Sequence, residues 1–485
     1  MAQVDFGSDR IAHNIAQTAV PMLAAQLLSL LYSIVDRVYI GRIPGQGTDA
    51  LGGIGLCFPV IMIIHGFTNM FGMGGSPIFA MERGRRNKVK AGQVMNTSFR
   101  LLVITALLIT LLGEIFTAPL LAAFGAGERT FGYAAAYLRI YLIGTVSYML
   151  STGMNPFINA QGFPRAGMLT VTIGAAANLV LDPLFIFVFG MGVSGAALAT
   201  IVSQSLSAVF AVGFLTGGKS EYRVTSLVPA GLKFSRGEKE STPEDGAGIA
   251  AGGRESGGIR GYLPYAGEIC SLGLAPFIMQ CTNSLVQIVC NSTLVRWGGE
   301  AYVSVMTIVS SVRQIMDTPT QAVTEGSSPI ISFNYGAGNP RNVRRTIALM
   351  TAVGVGYTLV VWSFVLKFPG AFIRIFTGDP EMAALAVPAL HLYFFAFVFQ
   401  ALQFSGQTVF KALGKKKRTI FFSLFRKVVM VVPLTLIFPH VAGLGTDGVF
   451  MAEPVSNFIG GAACYTTMLL TILPELKAME IKKQQ

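Results

Sequence analysis

Twelve long apolar runs dominate this 485-residue chain, at about 15–41, 52–80, 95–118, 131–153, 166–189, 193–215, 262–295, 301–333, 345–367, 384–411, 419–438 and 447–473. Each reaches the roughly 20 residues that a helix needs to cross a bilayer, and several exceed it, which predicts tilt or protrusion. Only 12% of residues are charged and 52% are apolar, with a mean hydropathy of +0.59; a soluble chain carries about 25% charge. Without water, backbone groups must be satisfied within the segment, so the runs are expected to be helices. The fold class is therefore an all-α integral membrane protein. Met1 to Asn14 holds Asp5, Asp9 and Arg10 and does not resemble a cleavable leader, so the first run is expected to be retained as a span.

Lys and Arg orient the spans. The loops after the even-numbered runs are basic: Arg83, Arg85, Arg86, Lys88 and Lys90; Arg165; Arg341, Arg344 and Arg345; Lys415 to Arg418; and the tail Lys477, Lys482 and Lys483. The odd loops are nearly bare. Both termini are then expected on the cytoplasmic side of the cell membrane, with the lipid bilayer as a partner. The net charge of +12 is scattered over short loops, which argues against nucleic-acid binding. Cys57, Cys270, Cys281, Cys290 and Cys464 lie in apolar segments without metal spacing, and His13, His65, His391 and His440 have none either. No nucleophile-elbow or zinc motif appears, so no enzymatic activity and no cofactor are expected.

Two soluble-protein patterns occur out of context. Gly213 to Ser220 (GFLTGGKS) matches a phosphate loop, but it ends a membrane run and enters a polar stretch. Gly190 to Gly195 (GMGVSG) matches a dinucleotide fingerprint, but the run before it is too long for a strand, so it reads as a tight turn between spans.

The chain repeats itself. Ser76-Pro77-Ile78, Gly84 and Asn87 recur 252 residues on as Ser328-Pro329-Ile330, Gly336 and Asn339. Ala160 and Gly162 recur at the same offset as Ala412 and Gly414. Gly192 and Gly195 match Gly445 and Gly448, and Pro21 matches Pro276. Each half has six runs, so both halves enter from the same side. Two parallel six-helix repeats related by an axis along the membrane normal are the architecture of carriers that rock around a central cavity. The expected division is an N-lobe at 1–216, a flexible cytoplasmic linker at 217–261, a C-lobe at 262–473 and a cytoplasmic tail at 474–485. The linker is rich in Gly and Ser with mixed charge and cannot bury enough surface to fold alone.

Polar residues within apolar runs mark function. Asn178 and Asp182 stand four residues apart on one helix face, with Pro183 next. A carboxylate at that depth costs roughly 2.5–3.5 kcal/mol even on a lenient insertion scale. Asp36 in the first run and Thr200 in the sixth fall at a similar depth, so Asp36, Asn178, Asp182 and Thr200 are expected to converge. Two carboxylates there need a proton or a cation such as sodium between them. The second repeat has Asn291 opposite Asp36 and an apolar stretch opposite Asp182.

Several segments together make the chain resemble the multidrug and toxic compound extrusion family. They are Val35 to Gly41 (VDRVYIG), Asn159 to Met168 (NAQGFPRAGM), Asn178 to Thr200, Glu325 to Asn339 (EGSSPIISFNYGAGN) and Lys411 to Lys417 (KALGKKK). The resemblance implies twelve helices in two lobes, a V-shaped cavity, and exchange of organic, often cationic, compounds for protons or sodium. It also implies that Asp36, Asn178, Asp182 and Thr200 bind the coupling ion. Departures are Gln280, where some branches carry an acid, and Glu453-Pro454-Val455-Ser456-Asn457, where the twelfth helix often reads Pro-Ile-Ser-Asp. A second ion site in the C-lobe is therefore expected only if Glu453 substitutes for that acid from another angle. Met279, Gln280, Met316, Asp317 and Glu325 are candidates for the substrate cavity; Asp317 stands four residues from Arg313 and is placed to pair with it, and Arg426 reads as a brace. A monomer exporting small organic substrates is the leading expectation. A flippase for a lipid-linked or peptidic product is the alternative.

Overall fold

The computed structural model describes residues 3–43, 47–124, 127–218, 220–225, 263–377, 379–441 and 443–484, and every regular element among them is helical. Spans 1–6 are Ile11–Gly41, Gly47–Gly84, Lys88–Ala123, the pair Glu128–Ile143 and Thr145–Ala160, Pro164–Val188, and Gly192–Thr216. Spans 7–12 are Ala266–Gly298, Glu300–Gly336, Pro340–Lys367, the pair Pro380–Phe394 and Phe397–Ala412, Lys416–His440, and Gly445–Gln484. Nine of these are long and apolar enough to cross a membrane alone, and the pair of span 10, bent by 46°, makes a tenth. The other two fall short for physical reasons. Span 4 is cut at Gly144 into two 16-residue helices. Span 8 carries Arg313, Asp317 and Glu325, whose polar heads are turned toward the protein interior.

The helices overrun the apolar runs. Span 12 continues to Gln484, so the expected tail extends the last helix. The expected linker also begins later than its composition implies. Ser220 donates a 2.7 Å hydrogen bond to Gln161, the Thr225 amide reaches Asn96 at 2.8 Å, and Tyr222 is buried edge-on against Phe79. Buried amide side chains at the helix ends require partners, and this short stretch supplies them. The N-lobe thus extends at least to Thr225; the rest of the linker lies outside the described residues. The phosphate-loop pattern is divided between the end of span 6 and this strap.

The repeat is visible in the backbone. Gly162 and Gly414, 252 residues apart, both adopt a left-handed conformation, with φ of +88° and +66°, that ends one span and starts the next. Asn87 and Asn339 cap spans 3 and 9 through their side chains. The repeats also meet each other symmetrically. A methyl group on Gly84 would lie 2.9 Å from the Ala337 amide, beside Phe333, and one on Gly336 would lie 2.9 Å from Met81 Cα. Phe333 is the counterpart of Met81, as Gly336 is of Gly84. Such a self-complementary contact requires a two-fold axis between spans 2 and 8. The same operation relates Gly74, packed against Gly273, to Gly326, packed against Ala19.

These contacts lie toward the face that carries both chain ends, called here the terminal face. The N-terminal segment adds to them. Val4 donates to Gly162 at 2.8 Å in the N-lobe, and Asn334 of the C-lobe donates to the Phe6 carbonyl at 2.7 Å. Arg83 lies over the rings of both Phe6 and Phe333, at 5.6 and 5.3 Å. The main apolar core of the N-lobe takes in Ile269 and Leu272 of span 7, and a smaller cluster joins Val4, Phe6, Ile11, Ile15 and Ala19 to Ile330 of span 8. The C-lobe has two cores, one around Val305, Phe394 and Phe450 and one around Ile347, Phe410 and Cys464. A buried polar layer containing Arg313, Asp317, Gln400 and Glu453 separates them.

Gly336→Val should wedge the terminal face apart, because overpacking costs about 1–3 kcal/mol. Spin labels at Lys88 and Arg341 should report a longer distance than in the parent. Gly356→Ala, where a methyl group meets open space, should leave that distance unchanged.

Candidate functional site

Span 5 is helical to Pro183 and then widens into a π-helical turn over Leu184–Val188, closed by a 2.9 Å bond from the Phe189 amide to the Leu184 carbonyl. Proline removes one donor from the helical ladder, and a wider turn accommodates the loss. Asn178 and Asp182 sit just before this irregularity and are 4% and 1% exposed. The Asn178 amide donates to Asp182 Oδ1 at 2.9 Å. Asp36, from span 1, brings its carboxyl within hydrogen-bonding reach of Asp182. Asp36 Oδ1 and Asp182 Oδ2 are both buried and have no hydrogen-bond partner.

Asp36 lines a cavity of about 690 Å³ within the N-lobe, whereas Asn178 and Asp182 lie behind its wall. Thr200 also lines it, with its hydroxyl donated back to the Ala196 carbonyl at 3.0 Å. The carboxyl pair and Asn178 are thus brought together. Thr200 borders the same cavity while engaged by its own helix. Much of the lining is aromatic: Tyr32, Tyr137, Tyr141 and Tyr148, with His65 stacked on Tyr148 at 4.8 Å. These tyrosines were not singled out from the sequence, although Tyr137 and Tyr141 stand at i, i+4 and would share a helix face.

A second cavity, of about 520 Å³, lies mainly in the C-lobe. Met279, Gln280, Asp317 and Glu325 line it, and the Gln280 amide contacts Met62 Sδ across the lobes at 3.0 Å. Met316 is the exception: it packs against the C-lobe core, one position round the helix from Asp317. Asp317 pairs with Arg313 at 3.4 Å. Glu453 Oε1 lies 2.9 Å from Arg426, 3.0 Å from Lys427 and 3.3 Å from Arg313. Arg426 also donates to Asn457 at 2.8 Å, so it does brace spans 11 and 12. Arg426 and Lys427 stand on a second π-helical stretch, Phe425–Val431, just before Pro433. Both lobes therefore place their polar residues beside a proline-linked irregularity in the same span of the repeat.

Glu325 stands where the cavities meet. It borders both, together with a small void of about 70 Å³ between the lobes, and accepts a 3.1 Å hydrogen bond from Gln26. That void is lined by the repeated Ser76-Pro77 and Ser328-Pro329, yet Met73 and Asn159 of the first repeat are replaced by Glu325 and Lys411.

The MatE family model matches twice, over residues 21–184 and 276–437. The chain belongs to the MatE family. Each match covers the first five spans of one lobe, which is the repeat seen in the structure. Among curated relatives of this MatE chain is the multidrug export protein MepA of Staphylococcus haemolyticus, 22% identical over 452 residues that cover 92% of each chain. MepA of Staphylococcus aureus is 22% identical over 426 residues, 88% of this chain and 87% of that one. Among solved structures, the outward-facing conformation of a multidrug resistance MATE family transporter superimposes with a TM-score of 0.83 at 23% identity over 96% of both chains. A MATE crystal structure in the bent conformation gives 0.83 at 23% identity, over 98% of this chain and 97% of the other. At these identities the solved structures establish the fold, and the fold is that of a multi-pass membrane protein.

Glu453→Gln in this MatE chain would leave three buried cations facing Asp317 alone. Breaking a buried ionic network costs about 3–5 kcal/mol, so the melting temperature of the purified protein should fall clearly. Met316→Leu, a volume-conserving change beside the same cluster, should cost less than about 1.5 kcal/mol.

Proposed function

We propose that the chain is a secondary antiporter that exports small organic compounds in exchange for a proton or sodium ion by alternating access. The contact between the Asp36 and Asp182 carboxyls, each with a buried, unpartnered oxygen, carries this reading. Two carboxylates held together in a low dielectric repel unless a positive ion sits between them, and that ion is what the transport cycle would bind and release. Direct contact favours the proton, because a sodium ion prefers several oxygens around it and would have to part the pair. Asn178 holds Asp182 in place, and Thr200 supplies a further oxygen at the cavity wall.

Export of several drugs by the named relatives supports the substrate class, as does the aromatic wall, since tyrosine faces attract organic cations by roughly 0.5–2 kcal/mol each. Lobe contacts toward the terminal face support a state open on the opposite side. Basic even-numbered loops favour a terminal face in the cytoplasm of the cell, so that this state faces outward. Each chain holds both lobes and so works as a monomer. The reading is a transporter and not an enzyme, with no cofactor beyond the coupling ion.

Asp182→Asn and Asp36→Asn should each reduce dye efflux to background while leaving expression and melting temperature close to those of the parent. Efflux at the parental rate in both would reject the pair as the coupling site. Omitting sodium at a fixed pH gradient should leave efflux intact; collapse on omission would assign sodium instead. Protection of cells from unrelated cationic dyes is expected, and its absence together with an envelope defect would favour a flippase.

A further inference from the structure

We propose that the C-lobe cavity seats its ligand through a carboxylate, held by Lys427 and Arg313. The charge count in the wall motivates this. Arg313, Arg426 and Lys427 face Asp317 and Glu453, while Glu325 and Lys411 add one charge of each sign. One positive charge is left over, in a lobe whose surroundings are apolar on both sides. All three cations draw on a single oxygen, Glu453 Oε1, at 3.3 Å or less. An oxygen with two lone pairs cannot fully satisfy three charged donors.

The unsatisfied donor can be named. Arg313 is 6% exposed and borders the cavity, and its Nη1 has no hydrogen-bond partner. Its Nε faces Asp317, its Nη2 reaches Gln400 and Glu453, and its guanidinium plane lies over the Tyr393 ring at 4.9 Å. The arginine is thus fixed by Asp317, Gln400, Glu453 and Tyr393, and its Nη1 is buried at the cavity's edge without an acceptor. A carboxylate in the cavity would accept from Lys427 Nζ and lie against the Arg313 guanidinium, and would balance the excess charge. Such charge-assisted bonds are the strong ones. At about 520 Å³ the cavity accepts a drug-sized molecule. The two lobes would then divide the work, with an aromatic wall for cationic groups in one and a basic seat for anionic groups in the other.

This assignment rests on reading the cavity as part of the substrate path, and its test is independent of ion coupling. A rhodamine with a free benzoate and the methyl ester of the same dye would be titrated by fluorescence anisotropy against the purified full-length protein in detergent, with no ion gradient. The free acid should bind about tenfold tighter than the ester, or better. Lys427→Met should remove that advantage while leaving ester binding unchanged, and Lys427→Arg should restore it. If Lys427→Met does not fold, the acid-against-ester comparison in the parent decides alone. Equal or tighter binding of the ester would overturn the proposal. So would an acid advantage that survives Lys427→Met, or no saturable binding of the acid up to about 1 mM. If export depends on Asp36 and Asp182 while acid and ester bind alike, the antiporter reading stands and this one falls.

Discussion

A polar group inside a hydrocarbon layer has no solvent to fall back on, and the whole structure answers to that condition. Backbone groups meet it by forming helices throughout the spans. Side chains meet it by pairing: Asn178 with Asp182, Arg313 with Asp317, and three cations with Glu453. Charged side chains that keep an atom without a partner are therefore informative. Asp36 Oδ1, Asp182 Oδ2 and Arg313 Nη1 are buried without a partner, on side chains that border a cavity or stand just behind its wall. Incomplete groups on a rigid support are what a binding site for a transient ion or ligand requires.

The two lobes share a backbone plan and differ in their chemistry. Both bend beside a proline in the fifth span of the repeat, and both end their fourth span in a left-handed glycine. The first repeat places acids at that bend and the second places arginine and lysine. Their cores differ accordingly: the main N-lobe core is a single cluster, and the C-lobe core is parted by its polar layer. The charges do not coincide residue for residue: an apolar stretch stands opposite Asp182, and Arg426 and Lys427 lie earlier in their span.

Much of this was legible from residues alone. Apolar length gave the spans, and the constant offset of 252 between Ser76-Pro77 and Ser328-Pro329 gave the parallel repeat. Helical spacing paired Asn178 with Asp182, and depth along the spans brought Asp36 to the same level. What the sequence did not show depends on distant contacts. Nothing local reveals that Glu453 collects three cations from two other spans, or that Tyr222 in a polar stretch is buried on Phe79. Met316 and Asp317 are neighbours in sequence, and only the rotation of span 8 decides which of them meets the cavity. The linker boundary was misjudged for a related reason: composition describes a segment's own tendency and not the unmet needs of the helix ends beside it.

The first few residues before span 1 belong to neither lobe alone. They hang from Gly162 on one side and from Asn334 on the other, with Arg83 pressed between Phe6 and Phe333. Separation of the lobes at that end has to tear one of these attachments first. In the transport cycle proposed above, the pace would be set in part by this short strap ahead of span 1, where substitutions would retune turnover without altering what is carried or what drives it.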